Sequence, residues 1–515
     1  MLLHYQNKRS LIRRPVSPPG SAHAYVATGS RLKKMLGGVA YLLLSAQTLV
    51  AAPVMWERIE DPLVRAAQFD LLVGEPFEAI TRLETDLGQG HIKHRPAQAQ
   101  LVLGSMYLAN GAHHKAALIF KAVGNSDQPQ ELKNLAWLSL AQVQYQHGQT
   151  DKALMSLQRI SGELLAQAQQ ERLLLSAMVL MQQQHFDQAV IYLRQLGERS
   201  LVKSLGEKSV WATYGRFNLG VALFRQGKEE EGLVLLEKLG SKGADTEENR
   251  TLRDKANLML AYHYLDKNEL EKAQQYVVKT RLQGPMSSQA LLGLGRIYSA
   301  KELHKKSLVP WLKLIKMDAS DPAVQDGLLA VPFAFGKLEG FKQALEHYQR
   351  ALDTFKAEIE QVHQAEAAVN NGILTDKLVR VVAGQPVGQG GWKPNLPDTP
   401  GGRYLWQLFA TNEFQETLKN HAQLRQSLLR LEQWSSQVSD AKGLAASHRR
   451  ELEKKVVNLQ NELLSVLERT QTHLEVLAQE TLERRKQRLL GYASETRFSM
   501  AQMYDYASKR WGGEQ

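Results

Sequence analysis

Cysteine is absent from the 515-residue chain, and aromatic residues make up only 7% of it. Without a thiol there can be no disulfide scaffold, thiolate zinc site, cysteine nucleophile or lipid-modified N-terminal cysteine, so packing alone must hold the fold together. The motifs of common enzymes are missing as well. No G-x-x-x-x-G-K-[ST] loop, H-E-x-x-H helix or G-x-S-x-G elbow occurs. Gly384, Gly388, Gly390 and Gly391 lack the preceding strand and following helix of a dinucleotide site. His91 with His94, and His113 with His114, have metal-compatible spacing but no third ligand close in sequence. Glu229, Glu230 and Glu231 read as a solvated helix face rather than a pair of carboxylates in distinct environments. The expectation is a protein with no catalytic residue, cofactor or metal.

What the chain does have is an excess of basic residues, 64 Lys and Arg against 53 Asp and Glu, and the excess is localised. Residues 1–52 hold Lys8, Arg9, Arg13, Arg14, Arg31, Lys33 and Lys34 with no acid, and so carry +7 of the total +11. Residues 53–402 hold 40 basic and 39 acidic side chains, and residues 403–515 hold 17 and 14. Neither segment has the surplus that phosphate binding requires, so no nucleic-acid partner is expected. After the basic leader (1–34), residues 35–56 are uncharged and include Val50-Ala51-Ala52 as a small-residue exit. This pattern fits a signal peptide, and its 22 residues also suffice for a membrane anchor, an alternative that Pro53 after the exit favours. Both place the body outside the cytoplasm, in the periplasm or on the periplasmic face of the inner membrane. Pro15, Pro18 and Pro19 are unusual in a leader, and a true start further downstream would account for them.

A repeat organises residues 57–355. Leu103-Gly104-x-x-Tyr107-x-x-x-Gly111, followed by Ala116, Phe120 and Pro129, recurs as Trp137, Leu140, Ala141, Gly148, Ala153 and Leu157. Further copies run through Ala177 and Ala189, Gly220 and Gly232, Ala261 and Ala273, Gly295 and Ser307, and Ala344, with a degenerate first copy around Ala67 and Ala79. The second small residue returns every 34 to 43 residues. The pattern resembles the tetratricopeptide repeat, whose period is about 34. The resemblance implies an all-α, right-handed solenoid of about eight helix pairs, with the first helix of each pair (A) lining a concave groove and the second (B) outside. Pro332 occupies the small A-helix position of the last copy, where a kinked or late helix is expected. Groove positions implied by the resemblance are Gln142, Tyr145, Tyr214, Phe217, Phe224, Arg225, Tyr262, Asp266 and Arg296, and packing between repeats is the alternative role for Phe217 and Phe224.

Beyond the repeats, a helical extension is expected over 356–382 and a Gly/Pro-rich linker over 383–402. Residues 403–515 form a C-terminal helical region. Its first helix is expected over 403–431, with Trp406, Phe409, Phe414 and Leu418 on one face. Leu452, Val456, Leu459, Leu463 and Val466 then step by four and three, a coiled-coil-like seam that weakens beyond Thr470 and is interrupted by His473. An intramolecular hairpin against the solenoid and self-association through residues 403–515 both fit. Tyr492, Phe498, Met500, Met503 and Tyr504 make a terminal apolar stretch that should dock. These features point to an exported, non-catalytic scaffold or adaptor for other cell-envelope proteins, bound to the membrane if the N-terminal segment is uncleaved. A glycan- or polymer-binding solenoid, with rings such as Tyr214, Phe217 and Tyr262 stacking on sugars, is the alternative.

Overall fold

A computed structural model of the chain describes residues 59–196, 210–373, 378, 402–440 and 446–511, apart from 111, 163, 242, 244, 245 and 410. The basic leader, the uncharged segment 35–56 and nearly all of the Gly/Pro-rich linker lie outside the described residues, as does Gly111. Among the described residues there is no strand, and no helix is long and apolar enough to cross a membrane.

Among the described residues sixteen helices form the solenoid: α1 (Pro62–Leu72), α2 (Pro76–Gly88), α3 (Pro96–Ala109), α4 (His113–Gly124), α5 (Gln130–Gln146), α6 (Thr150–Gln158), α7 (Ala166–Gln182) and α8 (Phe186–Leu196) come first. They are followed by α9 (Val210–Gln226), α10 (Glu229–Ser241), α11 (Glu247–Asp266), α12 (Leu270–Val277), α13 (Ser287–Ala300), α14 (His304–Leu314), α15 (Pro322–Lys337) and α16 (Phe341–Asn370). Odd-numbered helices take the A role and even-numbered helices the B role. From α3 to α15 each A helix packs on the next A helix as well as on its own B helix, whereas consecutive B helices have no comparable contact. The A layer is therefore the inner, concave one.

Local chemistry fixes where the helices begin and turn. Asp61 and Asp321 each precede a proline and accept a hydrogen bond from the backbone two residues on, at 2.9 and 2.8 Å, capping α1 and α15. Gly148 and Gly227 make the A-to-B turns with φ of 69° and 88°, a region that costs glycine nothing, and Asn268 does the same at 60°. Pro332 lies buried inside α15, which starts at Pro322 and runs through to Lys337 rather than beginning late.

Within each pair the small residue sets the approach. A Cβ on Gly104 would stand 2.6 Å from Phe120, and one on Gly295 would stand 2.1 Å from Nε1 of Trp311, which donates to the Leu292 carbonyl at 3.2 Å. The A helix thus lies directly against the large side chain of its own B helix.

The C-terminal region comprises α17 (Gly402–Phe409), α18 (Asn412–Asp440) and the 66-residue α19 (Ala446–Trp511). The single helix expected over 403–431 is broken at Thr411. Its hydroxyl accepts from the Phe414 amide at 3.4 Å, and the Phe409 and Phe414 rings meet across the turn at 5.1 Å. Of the expected seam Leu452–Val466, Val456 is buried and Leu459 is exposed; the buried stripe of α19 lies mainly past His473, which sits at the edge 3.2 Å from Glu413, and runs through Leu474, Ala478, Leu482, Leu489, Ala493 and Ala507. α19 runs antiparallel to both α16 and α18, where His421 meets Thr470, Glu366 meets Lys486 at 2.8 Å and Phe355 stacks on Tyr492, and further on its Met503 lies against Gly336 of α15. The terminal apolar stretch divides, with Tyr492, Met500 and Met503 packed and Phe498 and Tyr504 exposed.

One buried polar contact ties α17 to the solenoid. Glu358 of α16, 5% exposed, accepts from Arg403 at 2.7 Å and from the Tyr404 hydroxyl at 2.8 Å.

Two substitutions test this packing. Gly295→Ala should lose about 1–3 kcal/mol of stability through overpacking against Trp311. Tyr404→Phe should lose about 1.5–3 kcal/mol by leaving Glu358 with one partner fewer. Chemical denaturation followed by circular dichroism measures both, and unchanged midpoints would contradict the contacts described.

Candidate functional site

The concave wall is built from two positions on each A helix: the residue six before the small one, and the residue just after it. Counting from Ala141, Ala177, Gly220, Ala261, Gly295 and Pro332, the later position holds Gln142, Met178, Val221, Tyr262, Arg296 and Phe333. The earlier position holds Glu171, Tyr214, Lys255, Gln289 and Asp326 from the fourth repeat onward. Since the A helices pack side by side, the later residue of one repeat faces the earlier residue of the next. Gln142 donates to Glu171 at 3.4 Å, Tyr262 donates to the Gln289 carbonyl at 3.1 Å, and Arg296 pairs with Asp326 at 2.9 Å. Between these polar rungs come Met178 with Tyr214, and Val221 with Lys255. Asp326 also accepts from Tyr492 of α19, so the last rung is shared with the C-terminal helix.

A second set of contacts locks the turns. Gln183, Gln226, Lys267 and Lys301, each at or just past the end of an A helix, reach back to Asp151, Asp187, Glu229 and Glu271 on the preceding B helix.

The groove candidates separate accordingly. Phe217 is fully buried (0% exposed), while Gln142 and Tyr262 are 3% and 8% exposed. Gln142 and Tyr262 belong to the wall, where the next A helix meets them, and Phe217 lies in the core cluster with Leu236 and Leu239 of α10 and Leu252 of α11, so none of the three offers surface to a partner. Arg296 is half-buried and held by Asp326. Tyr145, Tyr214, Phe224 and Arg225 are half-buried, and Asp266 is exposed. Tyr145 and Tyr214, on α5 and α9, pack with Met181 of α7 against one apolar cluster, so three successive A helices bring them together. Phe224 stands edge-on to His263, with ring centres 4.9 Å apart.

Burial dominates the electrostatics. Glu171, 1% exposed, has its carboxyl pushed up to about 7 by desolvation, only partly offset by the hydrogen bonds from Gln167 and Gln142. Lys255, 5% exposed, has its ammonium pushed down to about 8 by the same cause. Burial also lowers the Arg225 guanidinium and raises the Tyr214 hydroxyl, which the carboxylate of Glu248 raises further. Glu171 and Lys255 were missed in the sequence, although the count that reaches Tyr214 from Gly220 reaches them from Ala177 and Ala261. Among the described residues no group of three His, Asp or Glu side chains is arranged to hold a metal. His91 pairs with Asp86, and His113 packs edge-on to His147.

Residues 258–322, which span α11 to the start of α15, match the tetratricopeptide repeat family model. The chain carries tetratricopeptide repeats. No curated protein matches it. Similar solved structures include a tetratricopeptide repeat protein from Parabacteroides merdae ATCC 43184, with 15% identity and a TM-score of 0.33, over 52% of this chain and 97% of that one. The apo form of RapI gives 11% and 0.40 over 72% and 98%, and the apo form of the quorum sensor NprR from B. thuringiensis gives 12% and 0.33 over 56% and 97%.

Within the repeats, Glu171 makes a pH dependence. Its folded pKa of about 7 lies above the ordinary 4.5, so the native state holds the proton more tightly. The stabilising contribution is complete below about pH 4.5 and is lost as pH rises through 7, on the order of 3 kcal/mol in all. Glu171→Gln should abolish that component and be the more stable form at pH 8. Urea midpoints of the two proteins between pH 4.5 and 8 measure it, and parallel curves would refute it.

Proposed function

We propose that this chain is a non-catalytic scaffold of a cell-envelope assembly, exported or anchored by its N-terminal segment, which holds an extended segment of another envelope protein along its concave face. One observation carries the reading: Tyr145, Tyr214, Phe224 and Arg225 recur on A helices as half-buried side chains above a wall closed by the inter-repeat rungs. Tyrosine and arginine are enriched among residues that dominate protein interfaces, and these are held by packing before any partner arrives. The uncharged run 35–56 after seven basic residues supports export. Sugar stacking has less support, because Phe217 and Tyr262 are buried and leave Tyr214 alone of the three rings. The reading includes self-association through residues 403–515, where Leu429, Trp434, Val457, Leu459 and Leu464 stand exposed on α18 and α19.

A photo-crosslinking amino acid at Tyr214 or Phe224, in cells, should give a covalent adduct with one envelope protein, and Arg225→Glu should reduce it several-fold. The same probe at Leu459 should give an adduct of twice the chain mass. Absence of any protein adduct from both groove positions would sink the scaffold reading. Absence of the doubled mass would remove self-association alone.

A further inference from the structure

The convex face of one repeat differs from the rest. Several charges on the B helices are paired between repeats, as in Arg194 with Glu231 at 2.7 Å, Lys267 with Glu229 at 2.7 Å and Lys301 with Glu271 at 3.2 Å. α14 breaks this habit. Between Leu303 and Met317 there is no acid, and Lys305, Lys306, Lys313 and Lys316 are all exposed, with no ion pair to any described residue. The helical period puts Lys305, Lys306 and Lys313 around Val309, four and three residues before it and four after it, and Lys316 follows in the turn just past the end of the helix. Val309 is itself 71% exposed, among the most exposed large apolar side chains of the chain. Of the adjoining acids, Asp318 is engaged by Arg403 at 3.4 Å, which leaves Glu302 at the other end. The buried side of the same helix is fully used, with Ser307, Leu308, Pro310, Trp311 and Leu314 in the core, so the basic side is not needed for folding.

We propose that this face of α14 docks on an anionic phospholipid surface. Charge complementarity requires an acidic counterpart, and the side-chain chemistry selects lipid over protein. All four cations are lysine, which is depleted from protein interfaces, whereas arginine is enriched there. Lysine is a strongly hydrated point charge on a flexible stem, suited to diffuse attraction by many headgroups rather than to fixed bidentate pairing. An exposed valine at the centre of the cluster can enter the headgroup region while the lysine stems extend around it. Each lysine near an anionic surface strengthens binding about fivefold. Four of them make a weak attachment alone and an effective one beside a second membrane contact, such as residues 35–56 would give. The surface lies on the B side, opposite the groove, and does not depend on what the groove binds.

Absence of native cysteine makes the test direct. The full chain carrying Val309→Cys, labelled with an environment-sensitive fluorophore, is mixed with vesicles of phosphatidylcholine alone or with added phosphatidylglycerol. A blue shift is expected only on the anionic vesicles. It should weaken as salt shortens the Debye length from about 10 Å at 0.1 M to about 3 Å at 1 M. Lys305→Gln, Lys306→Gln, Lys313→Gln and Lys316→Gln combined should lower apparent partitioning at least a hundredfold, with an unchanged circular dichroism spectrum. The same label at Met155→Cys is the control, because Met155 is 61% exposed at the matching position of α6 but is flanked by Asp151, Lys152 and Arg159. It should not shift. No shift on anionic vesicles, a shift that survives the four substitutions, or an equal shift at position 155 would overturn the proposal. A shift produced by an acidic polypeptide and not by vesicles would assign the face to a protein and overturn it as well.

Discussion

Contact between the A helices of consecutive repeats is the constraint on which the rest of the structure depends. A single helix pair buries one face and leaves the other apolar, so its stability is borrowed from the next pair. Small residues such as Gly104 and Gly295 let each A helix settle against the large side chain of its own B helix, Phe120 or Trp311. That leaves the A layer dense enough for residues of successive repeats to reach each other. The polar rungs Gln142–Glu171, Tyr262–Gln289 and Arg296–Asp326 exist only because the layer is that dense. In turn the rungs close the wall and determine which side chains are left to face a partner.

Density also explains the electrostatics of the concave side. A carboxyl and an amine at equivalent positions, Glu171 and Lys255, are both driven toward their neutral forms, one upward and one downward. Desolvation acts on whichever charge is present, so the shifts have opposite sign and one cause. The convex side has the reverse character. Its B helices have no contact with one another comparable to that of the A helices, its ion pairs are individually weak, and the lysines on and just past α14 are exposed.

Much of this was legible in the sequence because small residues at a fixed spacing carry little ambiguity. Ala79, Ala116, Ala153, Ala189 and Ala273 are all fully buried at the positions the period assigns them. The groove was less legible. Periodicity says that Phe217 and Tyr262 lie on the inner face, but not that neighbouring helices come close enough to cover them, since that depends on side-chain volumes in two repeats at once. Glu171 and Lys255 were accessible to the same count and were passed over because a charged residue on a helix is ordinarily a solvated one. The seam of α19 was misjudged beyond Thr470 for a related reason. Ala478, Ala493 and Ala507 are poor hydrophobic signals in a coiled-coil pattern, yet small residues are what a helix needs where it lies close against two others.

That close approach bears on how the solenoid ends. A repeat array exposes an apolar face at its last member unless something covers it, and a polar terminal helix is the usual solution. Here the cover is α19, which runs antiparallel along α16 and meets α15 through Gly336 and Met503. It also enters the rung system, because Asp326 accepts from Tyr492 on one oxygen and from Arg296 on the other. The C-terminal helix therefore occupies the place that the A helix of one more repeat would take, and it satisfies the polar group that such a helix would satisfy. A change in how α19 sits would reach the groove through Asp326 and Arg296, so cap and groove are one mechanical unit.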